Sequence, residues 1–124
     1  MIRSLIALSL VAFVASSVVG SALSSAPVAA PPQNSIKEVM KLAHKDGLLK
    51  KVVDGEATDA EKQQLLDLYI DMLEGTPEKG EQTEWLMAAG RSVVAAAKVV
   101  VGREGAVDEL KEATNCKACH DVFK

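Results

Sequence analysis

The sequence predicts an all-α domain, an antiparallel up-down-up-down four-helix bundle. Three observations predict it. Past residue 34 the apolar residues recur at helical intervals, and no strand-like alternation persists. Ser35-Ile36-Lys37-Glu38 and Thr58-Asp59-Ala60-Glu61 are capping boxes, the signature of a helix start. Short turn-forming stretches, Asp54-Gly55, Gly75-Thr76-Pro77 and Gly102, separate the periodic segments, and short connections make neighbouring helices antiparallel.

The first helix is expected over 36–53, carrying Ile36, Val39, Met40, Ala43, Leu48, Leu49, Val52 and Val53. The second starts at the Thr58 box and carries Leu65, Leu66, Leu68, Tyr69, Met72 and Leu73. A polar loop then leads to a third helix over 83–101. That helix holds Trp85, Leu86, Ala89, Gly90, Val93, Ala97 and Val100, with only Arg91 and Lys98 as internal charges, so it is expected to be the most buried. Its valines are stiff at χ1, and burial must outweigh that cost. The fourth helix is expected from Arg103 through Ala106, Val107, Leu110 and Ala113 into the last nine residues. Met72 and Met87 read as core. The lysines of the first helix and the acids of the second (Asp59, Glu61, Asp67, Asp71, Glu74) read as two solvated faces attracting each other.

Ahead of this domain lies a different composition. Arg3 precedes an uncharged apolar stretch over 5–19, and Gly20-Ser21-Ala22 has the small-residue form of a signal-peptidase site. Ala30 is a second cleavage candidate. The apolar stretch is short for a span of about 20 residues, so an export signal over 1–22 is expected rather than an anchor, with no stable membrane association after cleavage. Residues 23–34 hold three of the four prolines and read as a linker, which leaves 35–124 as the folded unit. Beyond the linker the chain carries 13 basic and 17 acidic side chains, a balance that argues against nucleic acid as a partner.

The chemistry is concentrated near the end of the chain, in Cys116-Lys117-Ala118-Cys119-His120. C-x-x-C-H is the attachment pattern for haem c: two thiols form thioethers with the porphyrin, and the imidazole binds iron. On a helix, Cys116, Cys119 and His120 share one face. A thiol–disulfide catalyst is a rival reading, but such a pair sits at a helix N-terminus after a strand, and the motif is expected at the C-terminal end of a strandless helical pattern. A zinc site would need two further ligands. One covalently bound haem c is therefore expected.

An exported four-helix chain with C-x-x-C-H close to the C-terminus resembles the class II cytochromes c, that is, cytochrome c′ and its low-spin, methionine-ligated relatives. The resemblance covers the domain from Ile36 onward. It implies that the first helix faces the open side of the haem and that Met40, in Ile36-Lys37-Glu38-Val39-Met40-Lys41, is the distal iron ligand. His44, one turn later on the same face, is the alternative ligand; an open iron is the third outcome. Where the family often carries an arginine near the haem propionates, this chain offers Lys37 or Lys41. Tyr69 and Trp85 read as core or haem-packing residues with no redox role.

The expected function is one-electron transfer in the periplasm or another exported compartment, with redox proteins as partners, in a monomer or homodimer. No acid, base or nucleophile constellation is evident, so no enzyme is expected. The alternatives are a five-coordinate protein that binds nitric oxide or carbon monoxide, and a haem-free role with Cys116 and Cys119 as a disulfide.

Overall fold

The computed structural model describes residues 30–124. The apolar stretch, the Ala22 cleavage site and the linker up to residue 29 lie outside the described residues. Those described are all-α, with no strand among them. No helix among them is long and apolar enough to cross a membrane.

Both capping boxes form. Ser35 caps α1 (Ile36–Val39), its hydroxyl accepting from the Glu38 N–H while the Glu38 carboxylate accepts from the Ser35 N–H. The backbone then widens into a π-helical segment, Met40–Lys45. The Asp46 N–H closes it by donating to the Lys41 carbonyl at 2.8 Å. Gly47 follows with φ +87°, the left-handed region that glycine enters without a Cβ penalty, and α2 (Leu48–Val53) begins. The continuous helix expected over 36–53 is thus three segments, because the Asp46-Gly47 turn interrupts an apolar periodicity that runs through it.

Thr58 and Glu61 form the reciprocal cap of α3 (Asp59–Glu74). Helix α4 (Gln82–Val100) starts without a side-chain cap. The expected fourth helix is two helices, α5 (Ala106–Ala113) and α6 (Cys116–Phe123). The Thr114 hydroxyl donates to the Leu110 carbonyl at 2.7 Å, and the Asn115 side chain accepts from the Ala118 N–H at 3.1 Å. Both bonds favour a break at 114–115.

Helix α3 packs along α4, α4 packs along α5, and α1 and α2 lie against α3. Val39, Leu65, Tyr69 and Leu110 are the largest fully buried side chains. Burying one such apolar residue contributes about 1.5–3 kcal/mol. Helix α4 supplies the small residues Ala89, Ala95 and Ala96 to this core, while Leu86, Met87 and Val94 are exposed. Its apolar residues surround the helix, but its neighbours cover only part of that circumference. The expected core role of Met87 is corrected accordingly, while Met72 is buried.

Charges also depart from expectation. Lys51 and Glu61 form the single ion pair joining α2 to α3 among the described residues; Lys41 pairs with Asp46 and Lys50 with Asp54, next to them in sequence. Asp71 is buried, not solvated. It accepts from the Gln33 N–H at 2.9 Å and the Asn34 side-chain amide at 2.7 Å, tying the residues before α1 to α3.

Candidate functional site

Helix α6 begins where Asn115 caps it, so Cys116 is its first residue. Cys119 and His120 follow at three and four positions, one turn on, and all three line one cavity of about 590 Å³. That volume lies within the roughly 300–1,000 Å³ of small-molecule and cofactor sites. Cys116 is exposed and Cys119 half-buried; burial, then the charge of Cys116, raises the Cys119 thiol above its ordinary range. The position of Cys116 corrects one sequence argument. A cysteine at a helix N-terminus was expected only of a thiol–disulfide catalyst, and this chain has one there. The remaining distinction is that a helix, not a strand, precedes it.

The facing side of the cavity comes from α1 and the π-helical segment. Met40 opens that segment and His44 lies four residues on; both are half-buried and both line the cavity. Wide π turns recur at functional sites, where they re-aim side chains. Burial, and then the charge of His120, lowers the His44 pKa, so the neutral imidazole is favoured. The His44 ring lies over Tyr69, centroids 5.9 Å apart and tilted by 34°. Lys37 is exposed at the cavity edge, whereas Lys41 turns to Asp46 at 3.3 Å.

Helices α3 and α4 complete the enclosure. Tyr69 is fully buried, and burial holds its hydroxyl well above the usual phenol range, so it stays protonated. Trp85 meets Phe123 of α6 edge to face, centroids 5.2 Å apart. Phe123 is fixed in turn from the loop between α3 and α4. A Cβ on Gly80 would stand 2.7 Å from the Phe123 ring, and Gly80 has φ +84°. The Lys79 N–H donates to the Phe123 carbonyl at 3.3 Å.

The structure therefore brings Met40, His44, Cys116, Cys119 and His120 around one space. Met72 and Glu78 line the same space, so two thiols, two imidazoles, two thioethers and one carboxylate are the groups there able to hold a cofactor or a metal. Among the described residues no three His, Cys, Asp or Glu side chains converge as a cation cage. Three contributors were not singled out from the sequence. Asn115 sets the start of α6, and its position before a helical run is an N-cap signal that could have been read. Ser92 is buried on α4 and its hydroxyl donates to the Ala113 carbonyl at 3.1 Å, holding the end of α5 beside the cavity. Asp71 anchors the residues that lead into α1; nothing local distinguishes it from its exposed neighbours. Comparison with family models, curated proteins and solved structures returns no match for this chain.

Proposed function

We propose that this chain is an exported monohaem c-type cytochrome that carries single electrons between redox proteins. The supporting observation is the shared cavity: C-x-x-C-H lies along one side, and Met40 and His44 come from the other. In this reading the helices run up, down, up and down, with α5 and α6 together as the last arm.

The cavity residues fit the group. Cys116 and Cys119 would hold it covalently through thioethers, and His120 would supply an imidazole to its iron. Met40 would supply a thioether ligand, with His44 as the alternative. Lys37 offsets carboxylate charge at the edge. Bound haem supplies a metal centre that cycles by one electron. The apolar side chains around it keep water away and limit rearrangement on electron transfer, while attachment prevents loss over many turnovers. No general acid or base is assigned.

The test is a denaturing gel stained for haem peroxidase activity. Wild-type protein should stain, and a Cys116→Ala/Cys119→Ala protein should not. Equal staining would refute attachment; an unstained wild type would favour the disulfide reading. The oxidised absorption spectrum decides the rest. A methionine–iron band in the far red supports the electron carrier, and a high-spin spectrum supports the gas-binding alternative.

A further inference from the structure

The outward face of α4 is apolar and uncovered. Met87, Val94 and Val101 are 61%, 55% and 69% exposed, and Leu86 is exposed beside them. With Gly90 and Ala97 between them, they recur at alternating spacings of three and four residues, the repeat of a helix-pairing seam. Large exposed apolar side chains gathered on one helix make a patch rather than the scatter of an ordinary surface. Trp85 and Ser92, which line the cavity, lie on the opposite face of α4, so this stripe is separate from the site already described. Gly90 sits at the middle of the stripe, inside the helix, where glycine is the poorest former after proline. A Cβ there would meet nothing within 4 Å, so packing inside the single chain gives no reason for a glycine. A glycine so placed lets something from outside approach the backbone closely.

We propose that a second copy of this chain pairs its α4 antiparallel across this face, Val94 of each copy seated over Gly90 of the other. Antiparallel alignment about a two-fold axis sets Met87 against Ala97, Val94 against Gly90 and Val101 against Thr83, a large side chain on a smaller one in every layer. Parallel alignment would set Gly90 against Gly90 and Val94 against Val94, a gap followed by a crowded layer. Charge favours the antiparallel arrangement too. Glu84, Arg91 and Lys98 run along one flank of the stripe. Glu84 of each copy falls beside Lys98 of the other, twice, while Arg91 meets its own copy once, so opposite charges outnumber the like contact. Lys98 already pairs with Glu109 of α5, and Glu84 of the second copy approaches it from the open side. Leu86, Val93 and Val100 make the other flank apolar and widen the seam. Helix α4 has 19 residues and is about 28 Å long. One helix seam covers less than the ~800 Å² per partner of a standard interface, so the dimer dissociates on dilution. None of this depends on what fills the cavity.

Sedimentation equilibrium of the purified protein and of Gly90→Leu, Glu84→Lys and Val122→Ser tests this. The wild type should pass from monomer to dimer as its concentration rises toward about 1 mM. Gly90→Leu fills the notch that Val94 needs, and Glu84→Lys sets like charges beside Lys98. Each change occurs twice in a symmetric dimer and should weaken association by about tenfold or more, with helix content unchanged by circular dichroism. Val122→Ser removes an exposed apolar side chain away from the stripe and should associate as the wild type does. A wild type that stays monomeric over the whole range overturns the inference and leaves the face to a different partner. A dimer that Gly90→Leu leaves intact, or that Val122→Ser weakens equally, overturns it by placing the interface elsewhere. A dimer weakened by Gly90→Leu but not by Glu84→Lys overturns the antiparallel alignment. Should Gly90→Leu lose helix content, Glu84→Lys decides alone.

Discussion

Met40 and His44 reach the cavity from the same π-helical segment, yet they would give an iron centre opposite tendencies. A thioether favours the reduced metal and raises the potential, whereas a second imidazole lowers it. With Met40 as the distal ligand, Met40→Ala should abolish the methionine–iron band and admit carbon monoxide, and His44→Ala should leave the band alone. With His44 as ligand the wild type should show a bis-imidazole spectrum, and Met40→Ala should alter only packing. Burial keeps His44 neutral below the usual imidazole range, so it is available for ligation near neutral pH. At this scale the sequence was most legible where chemistry is contiguous: Cys116, Cys119 and His120 are read from five adjacent residues. Tyr69 and Trp85 read as core or haem-packing residues; that Tyr69 Oη and Trp85 Nε1 lack partners among the described residues is not legible in sequence, because partners are set by tertiary packing. Asp71 was misread for the same reason, since its acceptor role depends on Gln33 and Asn34, far away in the chain.

Among the helices, the two reciprocal caps are the parts whose cost of loss is simplest to state. Thr58→Ala should destabilise the protein by about 1 kcal/mol, measured by chemical denaturation, because it frees a backbone N–H at the start of α3. The carboxylates of the same boxes tie stability to pH. The Lys51 ammonium and then the Thr58 N–H hold Glu61 below the usual carboxylate range, and Ser35 does the same for Glu38. Their folded-state pKa values are depressed. The stability they contribute is therefore present above the ordinary carboxylate range and is lost as pH falls through the folded values. Melting temperatures should drop on acidification, and Glu61→Gln should flatten that acid limb; an unchanged limb would show that the box carries none of it. Both boxes were legible because a cap is written in four consecutive residues. The breaks at Gly47 and Asn115 were not read, because apolar spacing continues across them and only one turn residue marks each.

For the molecule as a whole, the all-α class followed from periodicity, but the burial of α4 did not. Hydrophobic character alone placed α4 at the centre, whereas cover depends on how many neighbours reach each face, and Leu86, Met87 and Val94 remain outside. The core is small and borders the large cavity, so an apolar occupant would add substantially to it. The haem-free protein should keep its far-ultraviolet helical signal, lose near-ultraviolet structure and bind a hydrophobic dye. A haem-free form that melts at the holoprotein temperature with the same near-ultraviolet spectrum would contradict this.

The sides of the cavity are drawn from opposite ends of the folded chain, residues 32–44 and 113–124, with α3 and α4 in between. During synthesis the chamber cannot close until α6 has emerged. The early segment, α3 and α4 can meet beforehand, but α6 joins only after the intervening chain is available, and the entropy of that loop closure grows slowly with length, by about 0.6 kcal/mol for each doubling. A group attached at Cys116 and Cys119 and ligated from Met40 or His44 would fasten the two ends across that loop. Closure would then become part of the cost of unfolding: chain release and metal-ligand release would be one event, and unfolding should be slower with the ligand bond intact than with it cut.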